Sequence, residues 1–483
     1  MAVPSNPETI PNQAVAHKLT KAQSRKLYFA CLEILERTGI KVFEPEGVDL
    51  LKKAGAKVEG DNRVRIPPKL VERALSTVPG TITIHDRFGE PALHLGGAET
   101  YFGTGSECLS LIDHRTGDHR EPEYRDLLEA VKVAEGLKNV DFMMSMLTPK
   151  EIGPRVVNQY QMEAMLKGST KPIVYIGAEL ESCLDATEMA EAAAGGEEEL
   201  AKRPQVVCYI NVTTGLKHNR ESVQRLLYLS GKGLPLAYIP SSQGGTTAPV
   251  PLAASMAVAQ AGGLAGLVMS QLKKEGSPFI MTGWSGNMLD MRTTVQPYCD
   301  PEKRGGAIEL ARYLKVPSFA LAGCTDSKLV DQQAAAEAAL TLATDLLFGA
   351  DLVHDLGYME SGQAYSLVQL VICDEILSWL KAFRKGIEIS DETLCLDLID
   401  TLGPEGQYID KRHTFDNFRS RWYPSLFDRS NRLRWLEEGG LDLGERARMR
   451  VEEILSRPGV EPLAEAQTRA IRAVVERAEA RPD

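Results

Sequence analysis

Short apolar runs recur through the middle of the chain and alternate with longer segments in which apolar residues return with helical spacing. A parallel strand that is covered on both faces is apolar along its whole length, so each run predicts a buried parallel strand. The predicted strands lie at residues 101–105, 141–147, 172–178, 205–211, 234–241, 278–284, 316–324 and 351–357. Eight regularly spaced strands predict an α/β protein whose main body is a closed (β/α)8 barrel, the TIM barrel architecture.

Helical periodicity fills the intervals between these strands. Helices are predicted at residues 159–167, 184–194, 222–229, 253–273, 303–314, 331–347 and 367–383. After the first strand, residues 107–122 have the pattern of a hairpin with a turn at 116–118, an insertion that a strand end tolerates. An open, doubly wound sheet is the alternative architecture, but eight regular units favour a closed barrel.

The two ends of the chain lack this regular alternation of apolar runs and helical segments. Residues 1–98 predict an N-terminal α+β cap with helices at 21–37 and 67–80 and strands at 63–66 and 81–84. Residues 99–390 form the predicted barrel. Residues 391–483 predict a C-terminal helical extension, with helical patterns at 390–403 and 444–455.

The amino-acid composition of the chain limits the classes of molecule that it is expected to bind. Hydrophobic residues make up 43% of the chain and charged residues 25%, as in ordinary globular proteins. The formal net charge is −11, and Lys and Arg are spread along the chain. A nucleic-acid-binding protein presents a basic patch to the phosphates, so we expect no nucleic acid partner.

The sequence also indicates a cellular compartment. The first residues, MAVPSNPETIPNQ, lack the apolar core of a signal peptide, and no run reaches 18 consecutive apolar residues. The eight cysteines contain no C-x-x-C pair, and several lie inside apolar runs, which favours reduced, buried thiols. We therefore expect a soluble, cytoplasmic protein with no membrane contact.

In a barrel of this kind the active site forms at the carboxyl ends of the strands, so the last residues of each run are the candidates. They form a polar ring with aromatic members: Gly103, Gly105, Ser145, Gly177, Glu179, Asn211, Thr213, Ser241, Gln243, Trp284, Ser285, Cys324, Asp326, His354 and Asp355. Five tyrosines lie in or beside the same strands, at 101, 175, 209, 238 and 358. Most aromatic side chains at such positions fill the barrel core rather than a site.

Two strand ends are richer in reactive side chains than the others. The segment GCTDSKLVDQQAAAE, residues 323–337, presents Cys324 and Asp326 before a helix, where an aspartate also serves as a helix cap. The segment HDLGYMESG, residues 354–362, presents His354, Asp355 and Glu360 in a glycine-rich loop. Both predict chemistry at the last two strands.

Metal and phosphate sites have weaker support. No cluster of Cys and His has the spacing of a zinc site, so no metal is predicted in the chain itself. The loop SSQGGTTAPVP, residues 241–251, matches neither nucleotide-binding glycine pattern and is better explained as a strand-to-helix turn.

Several segments, taken in order, resemble the trimethylamine methyltransferase family, including its members that lack pyrrolysine and demethylate betaines. These segments are GEPALHLG, FIMTGWSGNMLDMRT (279–293), AGCTDSKLVDQQA, GYMESG, SDETLCLDLI (390–399) and GPEGQYIDKRHTFDNFR (403–419). The resemblance covers most of the chain. It implies methyl transfer from a methylated amine to the cobalt of a separate corrinoid protein, and it suggests a homo-oligomer.

The resemblance also bears on the substrate. In the amine-specific members, pyrrolysine lies in a strand-end segment similar to AGCTDSK, and we place Cys324 at that position. An ordinary residue there favours a quaternary ammonium, such as glycine betaine, over a tertiary amine. A quaternary nitrogen leaves as a neutral amine without a metal or a proton donor, while cob(I)alamin on the partner, which becomes methylcobalamin, carries the difficult chemistry.

Residue roles follow from this interpretation. Aromatic faces bind a trimethylammonium group by cation–π attraction, and Tyr101, Trp284 and Tyr358 are the candidate wall. Asn211, Gln243 and His354 are the candidate donors to a substrate carboxylate, with Cys324 beside them. The acidic residues Asp326 and Glu360 are expected to oppose the cationic head and orient the methyl group.

Two other functions remain open from the sequence alone. The first is a barrel lyase or hydrolase that uses His354 with Asp326 or Glu360 as an acid–base pair. The second is a homologue that binds a small molecule or the corrinoid protein without catalysis. The barrel alone does not distinguish these functions, because one fold supports many activities.

Overall fold

The computed structural model describes residues 15–284 and 287–482, and within them the predicted barrel is present. Seven parallel strands form one sheet, and we number the barrel strands in chain order with segment 141–147 as β2. The others are β1 (Tyr101–Thr104), β3 (Ile173–Ile176), β4 (Val206–Val212), β5 (Leu236–Pro240), β6 (Phe279–Thr282), β7 (Ser318–Leu321) and β8 (Leu352–Leu356). Along the sheet their order is β1-β8-β7-β6-β5-β4-β3.

Segment 141–147 closes this sheet into a ring. Phe142 forms a parallel bridge with Gly103 of β1, and Met143 forms one with Ile173 of β3. The amide of Met143 donates to Pro172 O at 2.9 Å, and the amide of Val174 donates to Met143 O at 2.8 Å. The eighth strand is therefore present but irregular, and the open-sheet alternative is wrong.

A helix follows each barrel strand. They are α1 (Tyr124–Glu135), α2 (Val157–Gly168), α3 (Leu180–Ala194), α4 (Arg220–Lys232), α5 (Leu252–Lys273), α6 (Gly306–Leu314), α7 (Gln332–Phe348) and α8 (Leu367–Arg384). The seven predicted helices are confirmed, and α1 was missed. The predicted hairpin is also confirmed, because Ser110–Ile112 pairs antiparallel with His119–Arg120.

Helix α5 is long and apolar enough to cross a membrane by length and composition, but 83% of its most apolar window is buried within the protein. It packs against α4 and against helices of the N-terminal part. Its hydrophobicity is therefore that of a core helix, in which a helix surrounded by protein is apolar on all sides.

The N-terminal part is an α+β cap, as predicted. Its helices are Lys21–Glu33, continued by the π-helical turn Ile34–Thr38, then Pro45–Lys53 and Pro68–Thr77. Its strands Ile40–Val42, Lys57–Glu59 and Arg63–Arg65 form one sheet with Lys217–His218 from the loop after β4. This shared sheet attaches the cap to the barrel.

A hairpin closes the amino-terminal end of the barrel. Strand Ile82–His85 pairs antiparallel with Pro91–Leu95. Its buried apolar side chains, Ile82, Ile84, Leu93 and Leu95, pack with residues of the barrel interior such as Val174, Val207 and Leu352. Among the described residues, this hairpin therefore covers the amino-terminal end of the interior, on the side away from the carboxyl ends of the strands.

The C-terminal extension is helical, as predicted, and consists of Asp391–Leu394, Leu396–Leu402, Arg412–Asn417, the 3-10 turn Phe418–Ser420, Arg432–Glu437, Leu443–Ser456 and Glu465–Glu479. The last two helices pack on the barrel, Leu443–Ser456 against α1 and α8 and Glu465–Glu479 against α2 and α3. The shorter helices before them have no buried residue.

Asp351, just before β8, ties the closing hairpin to the barrel. Its carboxylate accepts hydrogen bonds from the amide of Gly96 and from the amide and hydroxyl of Ser318, the latter two at 2.8 and 3.0 Å. We expect Asp351→Ala to lower the free energy of unfolding by about 2–4 kcal/mol, because it leaves buried donors without an acceptor. Urea unfolding measures this, with the exposed turn residue changed in Asp61→Ala as the control. Equal stability of the two variants would contradict the assignment.

Candidate functional site

Four rings meet in the upper interior of the barrel. The His354 ring on β8 lies 4.8 Å from Phe319 of β7, 5.7 Å from Tyr209 of β4 and 5.5 Å from Trp284 after β6, between ring centroids. Tyr209 and Phe319 are 5.3 Å apart. The side chains come from separate strands because inward-facing positions of neighbouring parallel strands form a common layer. We call Tyr209, Trp284, Phe319 and His354 the aromatic cluster.

A buried carboxylate without a hydrogen-bond partner lies beside this cluster. Asp355 is 1% exposed, and neither of its carboxylate oxygens has a hydrogen-bond partner among the described residues. Its Oδ1 lies 2.6 Å from His354 Nδ1, an ion-pair distance without the direction of a hydrogen bond. Both ring nitrogens of His354 also lack hydrogen-bond partners there. Burying polar atoms without hydrogen bonds costs free energy, and this favours a ligand that supplies the missing partners.

The charge of Asp355 affects several tyrosines. Burial first, and the Asp355 carboxylate next, raise the pKa of Tyr209 and Tyr298. Burial, Cys108 and Asp355 raise the pKa of Tyr358 in the same way. The carboxylate is therefore surrounded by aromatic side chains that remain neutral phenols.

Glu107, at the end of β1, adds a second acidic group. Its carboxylate accepts a hydrogen bond from Asn158 Nδ2 at 3.1 Å, and burial raises its pKa. It contributes to the raised pKa of Tyr209, after burial and Asp355. The mouth of the barrel thus combines aromatic faces with two acidic side chains, a combination that suits a cation.

Backbone strain is concentrated at this end of the molecule. Among described residues other than glycine, eight have a positive φ, and six of them lie at or beyond barrel strand ends: Glu107, Met146, Thr294, Asp355, Glu360 and Ser361. A positive φ is unfavourable for residues with a Cβ, so it persists only where the surroundings enforce it. Asp355, with a φ of 85°, is held in this way beside His354.

The structure brings together some of the predicted site residues. His354 and Trp284 belong to the aromatic cluster. The ring of Tyr358 stacks on Tyr298 at 6.2 Å, and its hydroxyl accepts a hydrogen bond from the amide of Ser106 at 2.6 Å. The Tyr358 ring is therefore packed against Tyr298 and buried, and its hydroxyl is engaged.

Asn211 and Gln243 lie on the rim. Asn211 is exposed and takes the next inward position of β4 after Tyr209, with its carbonyl oxygen bound by Ser222 Oγ at 2.6 Å. Gln243 Nε2 donates to Gln296 Oε1 at 2.6 Å, which links the loops after β5 and β6. Ser285, a further predicted candidate, lies outside the described residues.

Two predicted residues are placed elsewhere. Tyr101 begins β1, and its hydroxyl accepts from the amide of His94 at 3.1 Å, so it lies at the closed end of the barrel. Cys324 is fully buried in the layer between strands and helices, where its carbonyl oxygen accepts from Cys299 Sγ at 3.1 Å. The structure therefore places neither of these two side chains in the aromatic cluster.

Asp326 has a structural role. One carboxylate oxygen accepts from the amide of Tyr298 at 2.8 Å and from Ser361 Oγ at 2.7 Å, and the other accepts from the amide of Cys299 at 3.1 Å. It thus clamps the loops after β6 and β8. A carboxylate with these partners is not free to oppose a substrate cation, which corrects the predicted role.

Glu360 lines a rim pocket. This cavity of about 350 Å3 is bordered by Tyr298, Lys328, Glu360 and Gln363, and its size is that of a small-molecule site. Glu360 Oε2 lies 3.1 Å from His119 Nε2 of the hairpin after β1. A larger cavity of about 530 Å3, lined by Leu137, Asp374 and Trp435 among others, lies away from the strand ends.

One set of described side chains has the spacing of a metal site: the ligand atoms of Cys299, Asp326 and Glu337 lie within 4.8 Å of one another. However, Glu337 Oε2 accepts from Thr325 Oγ1 at 2.6 Å and from the amide of Asp326 at 2.8 Å. A hydrogen bond with Cys324, followed by burial, raises the pKa of Cys299, which opposes the thiolate that a metal needs. These groups fit a hydrogen-bonded clamp better than a metal centre.

Tyr298, Phe319 and Glu107 were not predicted as site residues, Tyr209 was noted only as a strand residue, and Asp355 was a candidate at a strand end without an assigned role. Tyr298 lies in the long loop before α6, where no periodicity indicates its direction. Tyr209 and Asp355 stand at strand ends in the sequence, which was the available signal. That Asp355 has no partner is visible only in three dimensions.

Comparison with known proteins was made with this geometry in view. A family model described as trimethylamine methyltransferase (MTTB) matches residues 3–482. The chain belongs to the trimethylamine methyltransferase family. The match covers the cap, the barrel and the C-terminal extension together, so the resemblance predicted from separate segments is confirmed.

Individual members are similar over nearly their whole length. The trimethylamine methyltransferase MttB of Desulfitobacterium hafniense (strain DSM 10664 / DCB-2) is 30% identical over 94% of this chain and 92% of that protein. The glycine betaine methyltransferase of Desulfitobacterium hafniense (strain Y51) is 29% identical over 94% and 95%. The crystal structure of the monomethylamine methyltransferase MtmB of Methanosarcina barkeri aligns with a TM-score of 0.49 at 11% identity, over 97% of this chain and 88% of that one.

The unpaired Asp355 carboxylate predicts a measurable trade-off between stability and binding. We expect Asp355→Asn to raise the free energy of unfolding by about 1–3 kcal/mol, because it removes a buried carboxylate that accepts no hydrogen bond and because Asn tolerates a positive φ. Asp351→Asn is the matched control, since that buried carboxylate is fully hydrogen-bonded and its loss should destabilise. Urea unfolding of both variants measures the effect, and a destabilised Asp355→Asn would show that Asp355 has structural partners.

Proposed function

We propose that this protein transfers a methyl group from a quaternary amine, glycine betaine or a related betaine, to the cob(I)alamin of a separate corrinoid protein. The observation that carries the proposal is the buried Asp355 carboxylate beside the aromatic cluster, whose oxygens accept no hydrogen bond from the described residues. A permanently cationic methyl donor would supply the missing charge. The substrate class of the glycine betaine methyltransferase relative agrees with this choice.

The residues of this chain would bind and orient the donor. Tyr209 and Trp284 would present ring faces to the trimethylammonium group, each worth about 0.5–2 kcal/mol when desolvated. Asp355, with Glu107 farther out, would take the role of opposing the cation that the sequence suggested for Asp326 and Glu360. Holding the methyl carbon in place at the mouth of the barrel would lower the entropic part of the activation barrier to methyl transfer.

The carboxylate of a betaine would need its own donors. His354 has two buried ring nitrogens without hydrogen-bond partners among the described residues, and Asn211 lies exposed on the rim above Tyr209. Gln243 reaches the same rim through Gln296. We assign the carboxylate to Asn211 and Gln243 on the rim, because the Asp355 carboxylate lies 2.6 Å from the His354 ring and would repel a second carboxylate there.

The departing amine would need no proton from the side chains at the site. When the C–N bond breaks, its electron pair remains on nitrogen, which departs as a neutral tertiary amine without needing a proton. The partner's corrinoid supplies the nucleophilic electron pair that accepts the methyl group. The site therefore needs no general acid.

The acceptor would approach from the open end of the barrel, since the hairpin blocks the other end. Exposed apolar side chains project there from three strand-end loops: Leu109 after β1, Met291 after β6 and Leu329 after β7. Such a rim suits contact with a partner protein that brings its cofactor to the opening. The proposal therefore places the corrinoid protein at this rim.

The lyase or hydrolase alternative loses support from the geometry. It requires His354 to pair with Asp326 or Glu360, yet Asp326 binds Tyr298, Cys299 and Ser361, and Glu360 pairs with His119. Asp355 is the carboxylate at ion-pair distance from His354 in the part of the chain described.

The proposal predicts corrinoid methylation from quaternary amines. Purified protein, a reduced corrinoid protein and glycine betaine, carnitine, proline betaine or trimethylamine would be mixed, and the visible absorbance of the cobalamin followed. We expect methylation with at least one betaine and little with trimethylamine. Asp355→Asn should lose most of this activity, because the cation loses its counter-charge.

Other outcomes identify the alternatives. Saturable binding of a betaine without methyl transfer would favour the non-catalytic homologue. Turnover of a betaine without the corrinoid protein would favour acid–base chemistry. Transfer from trimethylamine in preference to every betaine would contradict the quaternary substrate.

Trp284 provides a separate test of the aromatic cluster. We expect Trp284→Ala to weaken binding of the active quaternary amine about tenfold, because one desolvated cation–π contact is lost. Titration calorimetry measures the affinity. Trp379→Ala is the matched control, since Trp379 stacks on Phe383 on the surface of α8. Unchanged affinity in Trp284→Ala would remove Trp284 from the site.

A further inference from the structure

Residues 386–421, here called the arm, leave the barrel after α8 and return to it at Trp422, whose Nε1 donates to Ser378 Oγ at 3.0 Å. No residue of the arm is buried. The hydrogen bonds and ion pairs recorded for the arm have both partners inside it, for example Thr414 with Tyr408 and Arg412 with Asp416. Within the described part of the chain, no hydrogen bond or ion pair therefore joins the arm to the barrel or the cap.

The arm is nevertheless rich in large apolar side chains. Nine of them are exposed: Ile387, Ile389, Leu394, Leu396, Ile399, Tyr408, Ile409, Phe415 and Phe418. Ile409 is 86% exposed and Phe415 66%. A soluble monomer rarely presents so much contiguous apolar surface, so this composition indicates an interface.

The helices of the arm are too short to persist without packing. They contain four, seven and six residues. Isolated helices shorter than about 12–15 residues are marginal in water, and most helical stability in proteins comes from the packing of an apolar face. A surface that covers the arm is therefore required for the structure it adopts.

The charge of the arm indicates what covers it. Residues 386–410 contain seven acidic and no basic residues, whereas residues 411–421 contain four basic residues and one acidic residue. A surface with one negative and one positive half is complementary to itself after a rotation of 180°. Two-fold contacts use the same patch on both subunits, so this division is what such a contact requires.

We propose that the arm packs against the arm of a second copy of this chain around a two-fold axis, with the acidic half of each facing the basic half of the other. Covering the nine apolar side chains would bury about 1,000 Å2 on each copy, above the roughly 800 Å2 per partner of a standard stable interface. Two of the segments that carry the family resemblance, 390–399 and 403–419, lie in the arm and have no part in the barrel site. The contact is independent of the proposed function.

Charge reversal tests the contact in the full-length protein. The expected result is an assembly at about 10 µM whose mass, measured by light scattering, halves in Lys411→Glu/Arg412→Glu and also in Asp397→Lys/Asp400→Lys. Each variant alone opposes like charges, but a mixture of the two restores opposite charges on both sides of the axis. The mixture should therefore recover the original mass.

Lys52→Glu/Lys53→Glu is the control, because it reverses two exposed charges on the cap helix Pro45–Lys53 and should leave the mass unchanged. Circular dichroism checks that the variants are folded, and Ile409→Ser/Phe415→Ser should halve the mass without any change in charge. A monomeric wild-type protein, variants that keep the wild-type mass, or a mixture that does not reassemble would overturn the proposal. Assembly only after addition of the corrinoid protein would assign the arm to that partner and would equally overturn it.

Discussion

The site depends on the closure of the sheet by segment 141–147. This segment is irregular, but its bridges to β1 and β3 bring the first and third strands into one ring. Only a ring places the ends of β1, β4, β6, β7 and β8 around a common space. Without closure, His354, Trp284 and Tyr209 would stand along an edge, and Asp355 would be hydrated instead of buried.

The two ends of the barrel interior differ: the amino-terminal end is closed, and the carboxyl-terminal end is open. The hairpin Ile82–His85/Pro91–Leu95 fills the amino-terminal end with apolar side chains, and Asp351 fixes it to the barrel wall. At the other end lie strained backbone positions and polar groups without partners. Stability and function are therefore separated along the barrel axis, as the architecture allows.

The two carboxylates of β8 illustrate this separation. Asp351 and Asp355 are both buried and only four residues apart. Asp351 accepts three hydrogen bonds, whereas the oxygens of Asp355 accept none and have the His354 imidazole beside them. A buried carboxylate without hydrogen bonds in a strained conformation lowers stability, and this favours a binding role for Asp355 over a structural one.

The sequence by itself determined the barrel, the order of its elements and the family, because buried parallel strands leave continuous apolar runs and because several spaced segments resemble one family. It also placed His354 and Trp284 at the site, since both stand at strand ends. The tertiary structure decided that Tyr101 is at the closed end, that Cys324 is packed away and that Asp326 is a clamp. Those outcomes depend on the direction of a side chain and on partners distant in sequence, which no local pattern encodes. The pairing of Asp355 with His354 and the exposure of the arm were decided in the same way, by what the folded chain does and does not bring into contact.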